Sequence, residues 1–148
     1  MQIPAIVKDP AMRAITRAHR TVFDLTDGRL LGGFFGMPTV KLVTTGRRSG
    51  QRRETMLTSP ARTDDGALVL VASNGGDDRH PAWYLNLVAN PQVEVVMRGR
   101  RFTASARTAT PEERDELWPT IVRTFRTYGL YTRLTDRDIP VVICDPIE

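Results

Sequence analysis

The stretch Val40-Lys41-Leu42-Val43-Thr44-Thr45-Gly46-Arg47-Arg48-Ser49-Gly50-Gln51-Arg52-Arg53 decides how the chain is read. Its first half is an apolar, β-branched run of the kind that forms strands. Its second half packs four arginines and two glycines into a few residues. Glycine lets the backbone turn tightly and expose N–H groups, and the arginine fork matches phosphate or carboxylate oxygens. A strand that empties into such a loop can hold an anion. On a solvated loop the same residues are an ordinary basic turn, so the assignment depends on what surrounds them.

Outward from this stretch, strands are expected over 39–45, 53–59, 67–73, 93–98, 101–108 and 141–144. Asp64-Asp65-Gly66 and Arg98-Gly99-Arg100 read as hairpin turns between neighbours. Gly32-Gly33 and Gly36-Met37-Pro38 read as a loop. Met12, Ile15, His19, Val22 and Phe23 recur at helical spacing with Arg13, Arg17 and Arg20 between them, which predicts an N-terminal amphipathic helix over about 10–28. A short helix is expected over 81–89, with proline in its first turn and Asn90-Pro91 ending it. A longer one is expected over 111–125, with Thr110 as N-cap and Glu113 as its capping-box partner. Many short strands with a few helices do not make a βαβ repeat. The expected class is α+β, a small antiparallel barrel or strongly curved sheet with helices packed outside, as one domain over 1–148.

Composition narrows the function classes. The chain has 148 residues, enough for one proper core, with ordinary hydrophobic and charged fractions. Its net charge of +4 is carried almost wholly by arginine, since Lys8 and Lys41 are the only lysines. Such basicity supports an anionic partner only weakly. The single cysteine, Cys144, excludes an intrachain disulfide and a cysteine metal cluster. No membrane-spanning run or signal pattern is present, so the expected location is cytoplasmic, with a membrane-peripheral contact through the basic N-terminal helix left open. The two histidines, His19 and His80, lack metal-ligand spacing, and no metal is expected. There is no G-x-S-x-G elbow, Walker loop or zincin helix. Asp136 and Asp138 flank Arg137 and read as a local ion pair that fixes the turn into Ile139-Pro140. If the protein is an enzyme, a bound cofactor carries the chemistry.

Three separated loops could meet on one ligand. Besides the arginine loop, Ala72-Ser73-Asn74-Gly75-Gly76 leaves an apolar strand, with glycines that permit a concave run of N–H groups. The third, His80-Pro81-Ala82-Trp83-Tyr84-Leu85-Asn86, opens the short helix, where free N–H groups favour an anion.

The ordered set L-V-T-T-G-R-R-S-G-Q-x-R, V-A-S-N-G-G, P-A-W-Y-L-N-L-V-A-N-P, A-T-P-E-E-R-D-E-L-W-P, Y-G-L-Y and T-D-R-D-I-P-V-V-I-C-D-P resembles the deazaflavin-dependent nitroreductase family, over roughly residues 33–146. The resemblance implies a split β-barrel, like that of FMN-binding barrels, and an enzyme that passes a hydride from reduced 8-hydroxy-5-deazaflavin, coenzyme F-420, to a quinone, enone or nitro compound. It implies cofactor contacts at Arg47, Arg48, Ser49, Arg53, Glu54, Thr55, Met56, Leu57, Thr58, Val71, Ala72, Ser73, Asn74, Ala82, Trp83, Tyr84, Leu85, Asn86 and Tyr128. It implies that Tyr128 and Tyr131 line the acceptor side, where either phenol, or the Ser73 hydroxyl, donates the proton that balances the hydride. The sequence departs from the family pattern at Asn74 (lysine in a close member), Arg52 (commonly proline), Thr58 (an aromatic) and Met56 (a proline). Arg52 would then partly restore the cation absent at 74.

A split barrel binding FMN or haem is the alternative, because phosphate and ring recognition look alike at this level. A nucleic-acid binder is disfavoured, since aromatic residues are not interleaved with the arginines. The sequence leaves monomer and homodimer open.

Overall fold

The computed structural model describes residues 33–34 and 37–147. The helix expected over 10–28 lies outside them. Among the described residues eight strands form one sheet, β1 (Gly33–Phe34), β2 (Met37–Thr45), β3 (Arg52–Thr58), β4 (Ala61–Arg62), β5 (Leu68–Val71), β6 (Gln92–Met97), β7 (Arg100–Thr108) and β8 (Val141–Pro146). A single 3-10 turn (Asn74–Gly76) and helix α1 (Ala82–Ala89) connect β5 to β6. Helices α2 (Pro111–Thr124) and α3 (Thr127–Leu134) connect β7 to β8. The strand order is β1-β2-β6-β7-β8-β5-β4, β3 also pairs with β2, and every ladder is antiparallel.

Period-two alternation gives this curved sheet two apolar faces. Val40 and Leu42 of β2 point to the inside of the curve, where they join Leu68, Leu70, Val93, Val95, Ala104 and Val142. Trp83 and Leu87 of α1 enter the same cluster, so the short helix packs into the barrel rather than only against its wall. On the outer face, Val69, Val71, Val141 and Ile143 form a second cluster with Ile121 of α2 and Tyr128 of α3.

The barrel is split between β3 and β5. Among the described residues β3 pairs only with β2, and the chain crosses the gap at Ser59. The Ser59 N–H donates to the Pro38 carbonyl at 3.1 Å, and its hydroxyl donates to the Val69 carbonyl at 2.7 Å. One buried serine thus links the two sides where no ladder runs.

The turns follow local chemistry. Arg98 (φ 47°) and Gly99 (φ 76°) form the two-residue connection of the β6–β7 hairpin, both left-handed as a type I′ turn requires. At the start of α2 the Thr110 hydroxyl accepts from the Glu113 N–H at 3.2 Å, and the Glu113 carboxylate accepts from the Thr110 N–H at 2.9 Å.

Two expectations are corrected, and one helix was not foreseen. Met37 and Pro38 are not loop but the first residues of β2, and Gly33–Phe34 pair with them as β1. Proline fits there because it opens the strand and its carbonyl still serves Ser59. The segment after the long helix holds a further helix, α3, whose buried Tyr128 and half-buried Tyr131 lie on one face at i, i+3 spacing. Ala72 and Ser73 lie beyond β5, where Pro140 and Arg137 take over the backbone bonding.

Candidate cofactor and acceptor site

The arginine loop is a compact turn. The Gly46 N–H donates to the Gln51 carbonyl at 2.8 Å, and the Gly50 N–H donates to the Gly46 carbonyl at 2.9 Å. A Cβ on Gly46 would stand 2.5 Å from the Ser49 hydroxyl, so a larger residue there would push that hydroxyl from its place in the loop. That hydroxyl accepts from the Gln51 N–H and, more weakly, from the Arg53 guanidinium. The loop is fastened to α1 by Asn86, which is 5% exposed. Its Oδ1 accepts from the Arg47 backbone at 3.1 Å and from Arg47 Nη1 at 3.3 Å, while its Nδ2 donates to Thr44 Oγ1 at 3.2 Å.

Loop and helix enclose a cleft of ≈ 710 Å³. It is lined by Gly46, Arg47, Arg48, Ser49, Arg52, Arg53, Glu54, Thr55, Ala82, Trp83 and Asn86. Eight of the expected cofactor positions therefore share one cavity, namely Arg47, Arg48, Ser49, Arg53, Glu54, Thr55, Ala82 and Trp83, with Asn86 as a ninth. Arg52 does not add a free cation. It pairs with Glu94 at 2.9 Å and with Glu54 at 3.4 Å, and Arg52 with Arg101 holds the Glu94 carboxyl below its ordinary range. Arg47, Arg48 and Arg53 have no carboxylate partner among the described residues, so the positive charge of the cleft is theirs.

The expected wall over 54–58 divides between two faces. Antiparallel partners share a face, and Arg53, Thr55 and Leu57 oppose Thr44, Leu42 and Val40 on the inner side. Glu54, Met56 and Thr58 oppose Val43, Lys41 and Thr39 on the outer side. Thr58 there meets Tyr128, hydroxyl to hydroxyl at 3.3 Å. Tyr128 is 6% exposed, with its ring edge-on to Phe125 and Tyr131. Burial raises its pKa, and the Thr58 bond only partly opposes that, so the phenol is protonated at neutral pH.

The second loop is held from behind. Arg137 donates to the carbonyls of Ala72 (3.1 Å), Ser73 (3.0 Å) and Asp77 (2.9 Å), and its Nη1 lies 3.1 Å from His80 Nδ1. It is not the local partner of Asp136 and Asp138 that the sequence suggests. Burial, and then the Arg137 charge, push the His80 pKa down, so the imidazole is neutral and its Nδ1 accepts. In the loop expected to offer N–H groups at 72–76, the Ala72 N–H donates to Pro140 and the Gly76 N–H donates to Ser73 within the turn. Asn74 turns its amide onto the Arg79 carbonyl. A Cβ on Gly76 would lie 2.9 Å from the Leu134 side chain, which is how closely α3 presses on this loop. Tyr131 lies at the same contact. Tyr84 does not line the cleft; its ring lies tilted against His80, 4.9 Å between centres, and its hydroxyl bonds Thr108 at 2.9 Å. Val71, Ala72 and Leu85 do not line the cleft, nor do Ser73, Tyr128 and Tyr131. Val71 and Ala72 sit in the apolar clusters instead.

Sequence reasoning missed Thr44 and the true role of Arg137. Thr44 carries no signal beyond its place at a strand end. Arg137 misleads because its sequence neighbours are acidic while its partners lie about sixty residues away.

The chain matches the profile of the F-420H(2)-dependent quinone reductase family over residues 15–146. An F-420H(2)-dependent quinone reductase of Mycobacterium tuberculosis is 39% identical over 133 residues, 87% of this chain and 88% of the relative. A solved F-420-H2 dependent reductase (FDR-A) is 38% identical with a TM-score of 0.65, over 73% of this chain and 94% of its own. A second solved relative, described as a domain-swapped dimer, is 32% identical with a TM-score of 0.66, over 93% of this chain and all of its own. Motif order, sheet architecture and these likenesses agree, and the chain belongs to the F-420H(2)-dependent quinone reductase family.

Proposed function

We propose that this protein uses the reduced deazaflavin coenzyme F-420 to reduce a quinone. The observation that carries the reading is the meeting of Arg47, Arg48 and Arg53, uncompensated by carboxylates among the described residues, on one cleft beside the Trp83 ring. The donor set fits the group: guanidinium forks suit a phosphodiester and a glutamate tail, and an aromatic wall suits a flat ring. Each charge-assisted bond contributes about 1.5–3 kcal/mol. When bound, the cofactor supplies the hydride.

The chain supplies position and a proton. Asn86 fixes the arginine loop against α1 and bonds the Arg47 guanidinium, so that cation is held in place before a ligand arrives. Reduction of a quinone by hydride requires a proton at the second oxygen, and Tyr128, Tyr131 and Ser73 are the donors this chain offers. Tyr128 is protonated and held by Thr58, whereas Tyr131 is half-buried and closer to solvent. Enones and nitro compounds share the polarised acceptor of a quinone and form the wider substrate class. No helix among the described residues is long and apolar enough to cross a membrane. Cytoplasmic placement, with peripheral contact through residues 10–28, suits an apolar quinone and is tested by co-sedimentation with lipid vesicles.

The decisive test is a fluorescence titration with F-420 beside FMN at one ionic strength, followed by reoxidation of the reduced cofactor by a short-chain quinone. Selective F-420 binding with quinone-dependent turnover is the expected result. Preference for FMN would overturn the cofactor, and selective binding without turnover would overturn the acceptor.

A further inference from the structure

The sheet has a second basic cavity at the opposite end of the β6–β7 hairpin from the arginine loop. Glu94, near the start of β6, pairs with Arg52 beside the cofactor cleft. Met97, at the end of β6, opens onto a separate cavity of ≈ 380 Å³. Its floor is Leu68, Met97 and Phe102, and its rim carries Arg62, Arg98 and Arg100. Leu68 and Met97 are nearly inaccessible and belong to the inner cluster, with Phe102 packed against it, so the cavity reaches the apolar base of the barrel.

Two observations suggest that the rim is built for a ligand. First, none of the three guanidinium groups forms an ion pair with a carboxylate among the described residues. Arg62 donates to the Gly66 carbonyl at 3.1 Å and approaches Met97 Sδ at 3.8 Å, and Arg100 lies 6.0 Å from the Phe102 ring centre. Asp65, in the neighbouring turn, accepts from the Thr63 hydroxyl instead. Second, Arg98 occupies a left-handed position (φ 47°) in a turn where asparagine, aspartate or glycine is preferred. Breaking that local rule sets a third arginine on the rim, and such departures concentrate at functional sites.

The geometry points to a second ligand site here, for a small amphipathic anion whose flat apolar body meets Leu68, Met97 and Phe102 while its carboxylate, phosphate or sulfonate meets the three arginines. This site is independent of the cofactor cleft. Its test is an amide-resolved NMR titration of the full chain with naphthalene-2-sulfonate, run beside inorganic sulfate. Shifts at Gly66, Gly99 and Phe102 report this cavity, and shifts at Arg47 and Asn86 report the other. The expected result is saturable shifts at the first set, with affinity lowered about fivefold or more by Arg98→Asn, as loss of one charge-assisted contact requires. That variant suits the turn, so folding is preserved. Arg100→Gln provides a second reading of the same loss. Shifts confined to the arginine-loop cleft would overturn the proposal, as would an affinity unchanged in both variants. Equally tight binding of inorganic sulfate would overturn the amphipathic class.

Discussion

Asn86 is a residue whose chemistry was legible and whose second role was not. It lines the cleft from the middle of α1, where the family resemblance implies a ligand contact, and its amide also bonds Arg47 and Thr44. Removing a buried group with three bonds leaves its partners unsatisfied, so Asn86→Ala should lower stability by about 1–3 kcal/mol. It should also weaken F-420 binding about tenfold, the equivalent of 1.4 kcal/mol, by releasing the loop. Urea unfolding and fluorescence titration measure the two effects, and an unchanged affinity would separate Asn86 from the cleft. Tyr128 gives a contrasting case. If its phenol supplies the proton, Tyr128→Phe lowers kcat well beyond any change in KM for the quinone; equal kcat in the variant assigns the proton to Tyr131 or Ser73. Cys144, fully buried with its thiol pushed up to about 12, should resist thiol reagents until the protein unfolds.

Helices and strands were read well where periodicity or a capping pattern was strong, and poorly where contacts between distant segments decide. The capping box at Thr110 and Glu113 is local chemistry, and it is present as expected. Helix α3 is short, contains Gly129, and depends on packing against the 3-10 turn, so no propensity announces it. The two faces of β3 follow from alternation once its register with β2 is known, and register is not written in one strand alone. A prediction belongs to α2. Glu113 accepts from the Thr110 N–H and grips Arg107 with both oxygens, at 2.7 and 2.9 Å, which holds its carboxyl down to about 2. The folded pKa is lowered from 4.5, so this contribution is fully present above about pH 4.5 and is lost as pH falls toward 2. Thermal unfolding of Glu113→Gln should therefore fall below the parent at neutral pH and converge with it only at about pH 2 and below. A constant gap across that range would remove ionisation from the account.

For the whole molecule, the antiparallel barrel was legible from turns and alternating strands, but the position of its split was not, because it depends on which strands fail to pair. No ladder joins β3 to β5 among the described residues, and the seam is bridged by Ser59, whose carbonyl partners belong to β2 and β5. The Ser59 hydroxyl has one proton and two nearby carbonyls, Val69 at 2.7 Å and Ala61 at 3.1 Å, so the bond across the split is the stronger of the two. It is 4% exposed, so water does not easily replace it. Ser59→Ala should cost about 1–3 kcal/mol by leaving buried carbonyls short of a donor. The loss should be uneven. Amide hydrogen exchange should quicken most in β3 and β4, which hang from one neighbour each, and least in β6, β7 and β8, each hydrogen-bonded on both sides. The split also borders the face where Thr58 meets Tyr128, so a looser seam should raise KM for the acceptor more than it weakens F-420 binding at the distant arginine loop. Uniformly faster exchange over all strands would mean that Ser59 contributes only to global stability and that the seam is held elsewhere.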